Sequence, residues 1–437
     1  MKTNTLLFLL LTILSLPADL AGGTDEPGNS SRALSLSEVT RIVSERNPAI
    51  REALRRWEAA KQRVIQEGAW DDLRVSGTSK VRRYVDIPPN AFTDQMVSVE
   101  QAIPISGKNR VRAQIAAADA ISAFEQVRRQ QLDVLTKARS AYFRLANAFA
   151  QIELNKKNHE SLAQIAEIGR SRYEVGTQSA ADVLMAETEA AKLLEVQRDL
   201  ERSVATEQSQ LNVLMNRDAF APLVIRDDGS VGHREFSIAG LRATTLSNRP
   251  EIRAARARIA GGEAALRLAH RAWFPDPSFK VEGQRYNESG QSLSELDAGI
   301  SFSIPWGNPR KYSAGVTEAR ADLAAAQAAL ERSETEAVGA LRDALQKANT
   351  AHHHVELFRD RLAPQTQQAF QASQVAYENG KATFSEWIAV QRNLRDMEAE
   401  ARMHLTDYQT ALAELESVVG ADLKLFPSSN PALTTTK

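Results

Sequence analysis

Along most of this chain apolar residues recur every three or four positions, and in two short regions they recur every second one. Leu135, Ala138, Tyr142, Leu145, Phe149 and Ile152 alternate steps of three and four, the spacing of a coiled-coil seam. The seam lies in a run over about 108–172 that is rich in Ala, Glu, Gln, Arg and Leu. A similar run returns over about 310–376, with one proline, Pro364. A helix of that length extends roughly 100 Å, which suits a rod better than a compact core. Gly176 and Gly380 end the rods, and return helices are predicted over about 180–216 and 384–419. Period-two alternation predicts strands over about 95–105 and 293–305, where Leu296, Ala298, Ile300, Phe302 and Ile304 face one way and Glu295, Asp297, Ser301 and Ser303 the other. Their upstream partners are predicted over about 70–85 and 275–286, with turns around Pro88-Pro89-Asn90 and Asn287-Glu288-Ser289-Gly290. A half-buried soluble hairpin would carry the same pattern, so the strands alone do not decide between water and lipid.

The order of these elements occurs twice. Asn47-Pro48-Ala49-Ile50-Arg51 returns as Arg249-Pro250-Glu251-Ile252-Arg253, and Tyr173-Glu174-Val175-Gly176-Thr177 returns as Tyr377-Glu378-Asn379-Gly380-Lys381. Two units follow, 34–218 and 236–420, joined by a linker over 219–235 and followed by a tail over 421–437. The period exceeds that of ordinary solenoids.

Composition narrows the setting. The net charge of the 437 residues is −1, which argues against a nucleic-acid partner. Cysteine is absent, excluding disulfides, thiolate metal sites and a lipid anchor on an N-terminal cysteine. Lys2, the apolar run Leu6 to Leu16 and the small residues at Ala21-Gly22 read as a signal peptide over 1–22, followed by an exported protein. No later stretch approaches the roughly 20 apolar residues of a spanning helix. If the strands enter a membrane, two hairpins per chain are too few to close a barrel, so several chains must share one. Trp70, Trp273 and Trp306 stand beside the strands where membrane-interface aromatics belong, with Tyr84, Phe92 and Tyr286 near the other ends; core tryptophans are the alternative.

The duplicated order, with the junctions Pro104-Ile105-Ser106-Gly107-Lys108 and Ile304-Pro305-Trp306-Gly307-Asn308 and the glycine turns, resembles the TolC family of outer-membrane efflux ducts over about 34–420. The resemblance implies a mainly α fold with a small β part: a homotrimer whose 12-stranded outer-membrane barrel, set in lipid, continues as a periplasmic helical barrel. It also implies a periplasmic adaptor and an inner-membrane pump as partners. The Ile103-to-Arg110 junction looks like the heavy-metal-efflux branch, of Czc and Cus type, whose pumps are proton-driven and of RND type. Cus-like members are commonly lipidated, and this chain lacks the cysteine. Ducts of the same shape also serve type I protein secretion, and a periplasmic coiled-coil scaffold without a pore remains open.

A duct performs no bond chemistry, and no catalytic motif, cofactor loop or metal signature stands out. The resemblance places Tyr173, Gly176, Thr177, Tyr377, Gly380 and Lys381 at the periplasmic tips, where adaptors dock; a well-made helical turn would use the same glycines. Asp182 and Glu386 follow each turn glycine by six residues, and the resemblance implies that this register lines the periplasmic entrance, which makes them gate candidates as a ring of like charge in a threefold assembly. A carboxylate in a first helical turn also meets the helix dipole favourably. Three consecutive histidines, His352-His353-His354, point about 100° apart on a helix and cannot all meet one ion.

Overall fold

The computed structural model describes residues 33–80, 94–226, 236–288 and 291–423. The predicted signal peptide, the first turn with Tyr84 and Phe92, and most of the tail lie outside them. In the first unit, α1 (Leu36–Arg46) and α2 (Pro48–Gly68) precede β1 (Arg74–Lys80) and β2 (Asp94–Ala102). Then come α3 (Lys108–Glu174), 67 residues without a break, and its return helix α4 (Ala180–Leu214). The second unit repeats the order with α5 (Ile238–Asn248), α6 (Pro250–Arg271), β3 (Pro277–Glu288) and β4 (Gln291–Phe302). Its rod differs from the single helix expected over 310–376. It consists of α7 (Pro309–Leu357), a π-helical turn (Phe358–Leu362) and α8 (Ala363–Glu378), before α9 (Phe384–Val419) returns. Pro364 supplies the cause, because its nitrogen donates no hydrogen bond and its ring crowds the carbonyl four residues back.

Local chemistry sets the ends of these elements. Ser35 caps α1 in a box with Glu38. Asn47 caps α2 by accepting from the Ala49 and Ile50 amides, while donating to the Leu214 carbonyl at the end of α4, 2.8 Å away. The predicted seam is the centre of a core in which Ala138, Tyr142 and Leu145 are fully buried against Val39, Val43, Ile50, Leu211 and Met215. Leu34 and Ile225 form a parallel bridge, so the described start of the linker, up to Arg226, lies beside the residues that lead into α1, and the Tyr142 hydroxyl donates to the carbonyl of Arg226.

The four strands form one antiparallel sheet in the order β1-β2-β3-β4. Register aligns Val75, Val99, Val281 and Ala298 in one row, and Gly77, Val97, Gly283 and Leu296 in a second. Between them Ser76, Ser98, Glu282 and Asp297 line up on the opposite face. The apolar face is the exposed one, with Leu296 77% exposed, whereas Ser98 on the polar face is buried at 5%. This is the reverse of a soluble half-buried sheet. The ladder runs to the Glu288–Gln291 pair, so Asn287 and Glu288, expected in the turn, belong to the strand. Among the described residues no helix is long and apolar enough to cross a membrane, which says nothing of a β-barrel.

One lock joins sheet to helices. Lys108 Nζ donates to Asp276 Oδ2 at 2.9 Å and to the Phe274 carbonyl at 2.7 Å, and the Ser106 amide donates to Asp276 Oδ1 at 2.9 Å. Partial burial pushes the Asp276 carboxyl up, but the hydrogen bonds from Lys108 and Ser106 outweigh it and hold the group below the usual aspartate range. Gly107 sits between them at φ +67°, where a Cβ would come within 2.7 Å of Arg271 Nη1. That nitrogen donates to the Ser106 and Gly107 carbonyls. At the second junction Gly307 has open space around it and Asn308 caps α7 instead. Gly107→Ala is therefore expected to cost about 1–3 kcal/mol, from left-handed strain and displacement of Arg271. Gly307→Ala should stay within about 0.5 kcal/mol. Thermal unfolding of the two variants checks the difference.

Candidate functional site

The two turns at the far end of the rods are built alike and finished differently. Gly176 (φ 76°) and Gly380 (φ 67°) adopt the left-handed conformation that ends each rod. The Thr177 amide donates to the Arg172 carbonyl at 2.9 Å, and the Lys381 amide to the Ala376 carbonyl at 2.8 Å. Ser179 then caps α4 and Thr383 caps α9, each accepting from the amide three residues on. Asp182 and Glu386 provide those amides, so both gate candidates occupy the same helical position. Their carboxylates differ. Glu386 accepts the Thr383 amide at 2.7 Å in a reciprocal cap, and the backbone and side-chain hydrogen bonds from Thr383 hold its carboxyl below the usual glutamate range. Asp182 closes no such box and stands half-buried in the first turn of α4.

The tip residues do not form one group either. Tyr173 is 51% exposed and Lys381 is also exposed, whereas Tyr377 is a structural bridge. Its hydroxyl donates to Gln178 Oε1 at 2.7 Å, joining α8 to the other unit's turn, and Arg172 lies 5.1 Å over its ring. Tyr377 stacks on Trp387 at 4.9 Å, and Trp387 packs with Phe384, Ile388, Leu162, Ile165, Ala186 and Leu193 into a core shared by both hairpins. Trp387 is not among the tip candidates expected from the sequence, though the aromatic spacing Tyr377, Phe384, Trp387 carried the signal.

A little further along, Glu189 is buried between α4 and α9. Arg392 Nη2 reaches it at 2.7 Å and Lys192 Nζ at 2.8 Å. Sequence reasoning missed this group because Glu189 and Arg392 are 203 residues apart. Burial drives the Glu189 carboxyl up, but the Lys192 hydrogen bond and the Arg392 charge prevail and lower it.

At the sheet end, Trp70 and Trp306 are 59% and 61% exposed, and Ile105, Phe274 and Ile304 are exposed as well. Trp273 is half-buried and leans on Tyr312, with ring centres 5.6 Å apart. The Tyr286 side chain lies outside the described residues. His352, His353 and His354 fall near the end of α7, away from both ends of the molecule.

The lowered carboxyl of Glu189 ties tip stability to pH. Its contribution is complete above the ordinary glutamate range and is lost as pH falls through its lower folded-state value. Glu189→Gln should lower stability at pH 7 by about 1–3 kcal/mol, discounted for the half-exposed Arg392, and should flatten the acid limb of the stability curve. Denaturant unfolding at pH 7 and pH 4 measures both effects.

Known proteins share this architecture. The profile of the family described as outer membrane efflux protein matches residues 40–217 and 241–421, one segment per unit. The toluene efflux pump outer membrane protein TtgF of Pseudomonas putida is 26% identical over 246 residues, covering 55% of this chain and 51% of that protein. The chain thus matches about half the length of this relative. Among solved structures, a membrane protein from Pseudomonas aeruginosa superposes with a TM-score of 0.77 at 19% identity, covering 88% of this chain and 90% of the other. VceC from Vibrio cholerae gives 0.73 at 18% identity, covering 88% and 96%. These structural likenesses speak for the fold, and the profile match over both units speaks for descent: the chain belongs to the outer membrane efflux protein family.

Proposed function

We propose that three copies of this chain form the passive outer-membrane exit duct of a tripartite efflux system. The observation that carries the reading is the four-stranded sheet with an exposed apolar face, an inward polar face and two open edges, β1 and β4. Backbone groups on such edges are intolerable in hydrocarbon, and joining β4 of one copy to β1 of the next satisfies them. Three copies give 12 strands, within the range of closed spanning barrels. The apolar rows then face lipid, with Trp70 and Trp306 at the periplasmic interface. Ser98, Glu100, Lys280, Glu282, Glu295 and Asp297 face the lumen. α3 with α4, and α7 and α8 with α9, extend the lumen through the periplasm.

The turns at 173–177 and 377–381 dock a periplasmic adaptor, which links the duct to a proton-driven inner-membrane pump of RND type. Tyr173, Thr177 and Lys381 supply the accessible groups, while Gly176, Gly380 and Tyr377 hold the turns in shape. At the gate, Asp182 is the stronger candidate, since the Glu386 carboxylate is engaged in its own cap. The junction at 103–110 favours metal cations as cargo. The name of TtgF favours small organic toxicants as a second reading.

Native mass spectrometry of the detergent-extracted protein should give a trimer, and planar bilayers should show discrete conductance steps. A monomer without conductance defeats the duct reading. Asp182→Asn should raise leak conductance or shift cation preference more than Glu386→Gln does; equal, unchanged channels remove both from the gate. A deletion strain sensitive to divalent or monovalent metals supports the first cargo, and one sensitive only to organic compounds replaces it with the second.

A further inference from the structure

The histidine run that the sequence could not assign acquires a partner in three dimensions. His354, in the last turn of α7, meets His404 of α9, with ring centres 4.9 Å apart and planes inclined at 59°. The His404 ring also lies 4.4 Å from that of Phe358, the first residue of the π-helical turn, with the planes inclined at 54°. Asp407 Oδ2 stands 3.8 Å from His404 Nδ1. The remaining two histidines of the run are directed elsewhere. His352 sits edge-on to Tyr408 at 5.1 Å with Glu356 at 3.7 Å, and the His353 ring is 6.4 Å from that of His354.

From these positions we propose that His354 and His404 form a cross-helix binding site for a divalent transition-metal ion such as Zn²⁺, Ni²⁺ or Cu²⁺. Imidazole nitrogens bind such ions at about 2.0–2.1 Å, so each ring centre lies about 3.2 Å from the metal and two rings about 90–110° apart at the ion are separated by about 4.5–5.2 Å. The observed separation falls in that interval. Asp407, 3.8 Å from His404 Nδ1, is beyond hydrogen-bond distance and would have to close on that nitrogen to play the outer carboxylate role commonly met in such sites, leaving the other nitrogen for the metal. Among the described residues no group of three or more His, Asp or Glu side chains is arranged around one ion, so the site offers two protein donors and water completes the shell. Borderline ions with a preference for imidazole suit it, and Mg²⁺, which demands oxygen ligands, does not.

The site lies where clamping would matter. α7 and α9 pack antiparallel here through Ala351, Val355, Tyr408, Leu405 and Leu412, and the π turn follows within four residues of His354. An ion held by both histidines ties the two helices together beside the one irregular turn in the rod. Protons compete with the metal, because both rings must be neutral to bind it.

The test uses the full-length protein in detergent at pH 7.5 with Zn²⁺ alone, read by calorimetry and by thermal unfolding. We expect a saturable rise in Tm that Mg²⁺ does not reproduce. His354→Gln and His404→Gln should each weaken Zn²⁺ binding at least tenfold, whereas His353→Gln should leave it unchanged. Helical circular dichroism verifies that each variant is folded, and should His404→Gln fail to fold, His354→Gln carries the comparison alone. Zn²⁺ binding equal in wild type and His354→Gln, or lost equally in His353→Gln, overturns the site. Its failure leaves the duct reading intact, since conductance and trimer formation are measured without metal.

Discussion

Everything in this molecule is hung on α3 remaining one uninterrupted helix. Its sides are covered by α1, α2, α4, α6 and α9, so it belongs to the cores of both units and is the wall between them. Where α6 lies against it the approach is tight enough that a Cβ on Gly261 would come within 3.1 Å of the Ala118 methyl. Dispersion and apolar burial over such a length are individually small and collectively decisive. The sheet contributes little to this scaffold, since its apolar side faces away from every helix. It is held in place by its ends, chiefly through Lys108, Asp276 and Arg271.

The helical framework was legible because its signals are local and long. A seam of steps of three and four, ended by a glycine and restarted by Ser179 or Thr383, specifies rod, turn and return without knowledge of any partner. The strand alternation was equally readable in β4, where Leu296 to Phe302 alternate without exception. Which face met solvent was not readable, because a row of valines and leucines looks the same whether it covers a protein core or a lipid tail. The π turn escaped notice for a different reason. Pro364 was visible, but a proline can be met by a kink, a break or a widened turn, and the choice depends on how α9 holds the two flanking segments in line. Contacts between residues two hundred positions apart, such as Glu189 with Arg392 or Tyr377 with Gln178, have no sequence signature at all.

Duplication gave two units with one plan, and the differences between them have a common character. The first is finished by specific polar locks and the second by permissive ones. Asn47 both caps α2 and ties down α4, while its counterpart Arg249 leaves α6 without a side-chain cap. Gly107 is wedged against Arg271, whereas Gly307 stands in open space. The tips invert this tendency, for there the second unit has the closed cap and the stacked aromatics. The two halves therefore carry their specific locks at different places, an arrangement two identical copies could not provide.

The π-helical turn has a geometric consequence for the rod. A π turn inserts one residue into the hydrogen-bonding frame, so the helix beyond it is rotated by about 100° relative to the face it would otherwise present. The first unit contains no such insertion in α3, and the two rods, though similar in length, accumulate a phase difference along their axes. Phe370 and Tyr377 reach the shared tip core from a helix that has been re-indexed once, whereas Leu162 and Ile165 reach it from one that has not. The turn thus re-indexes the second rod once before Phe370 and Tyr377 enter the tip core that both units share.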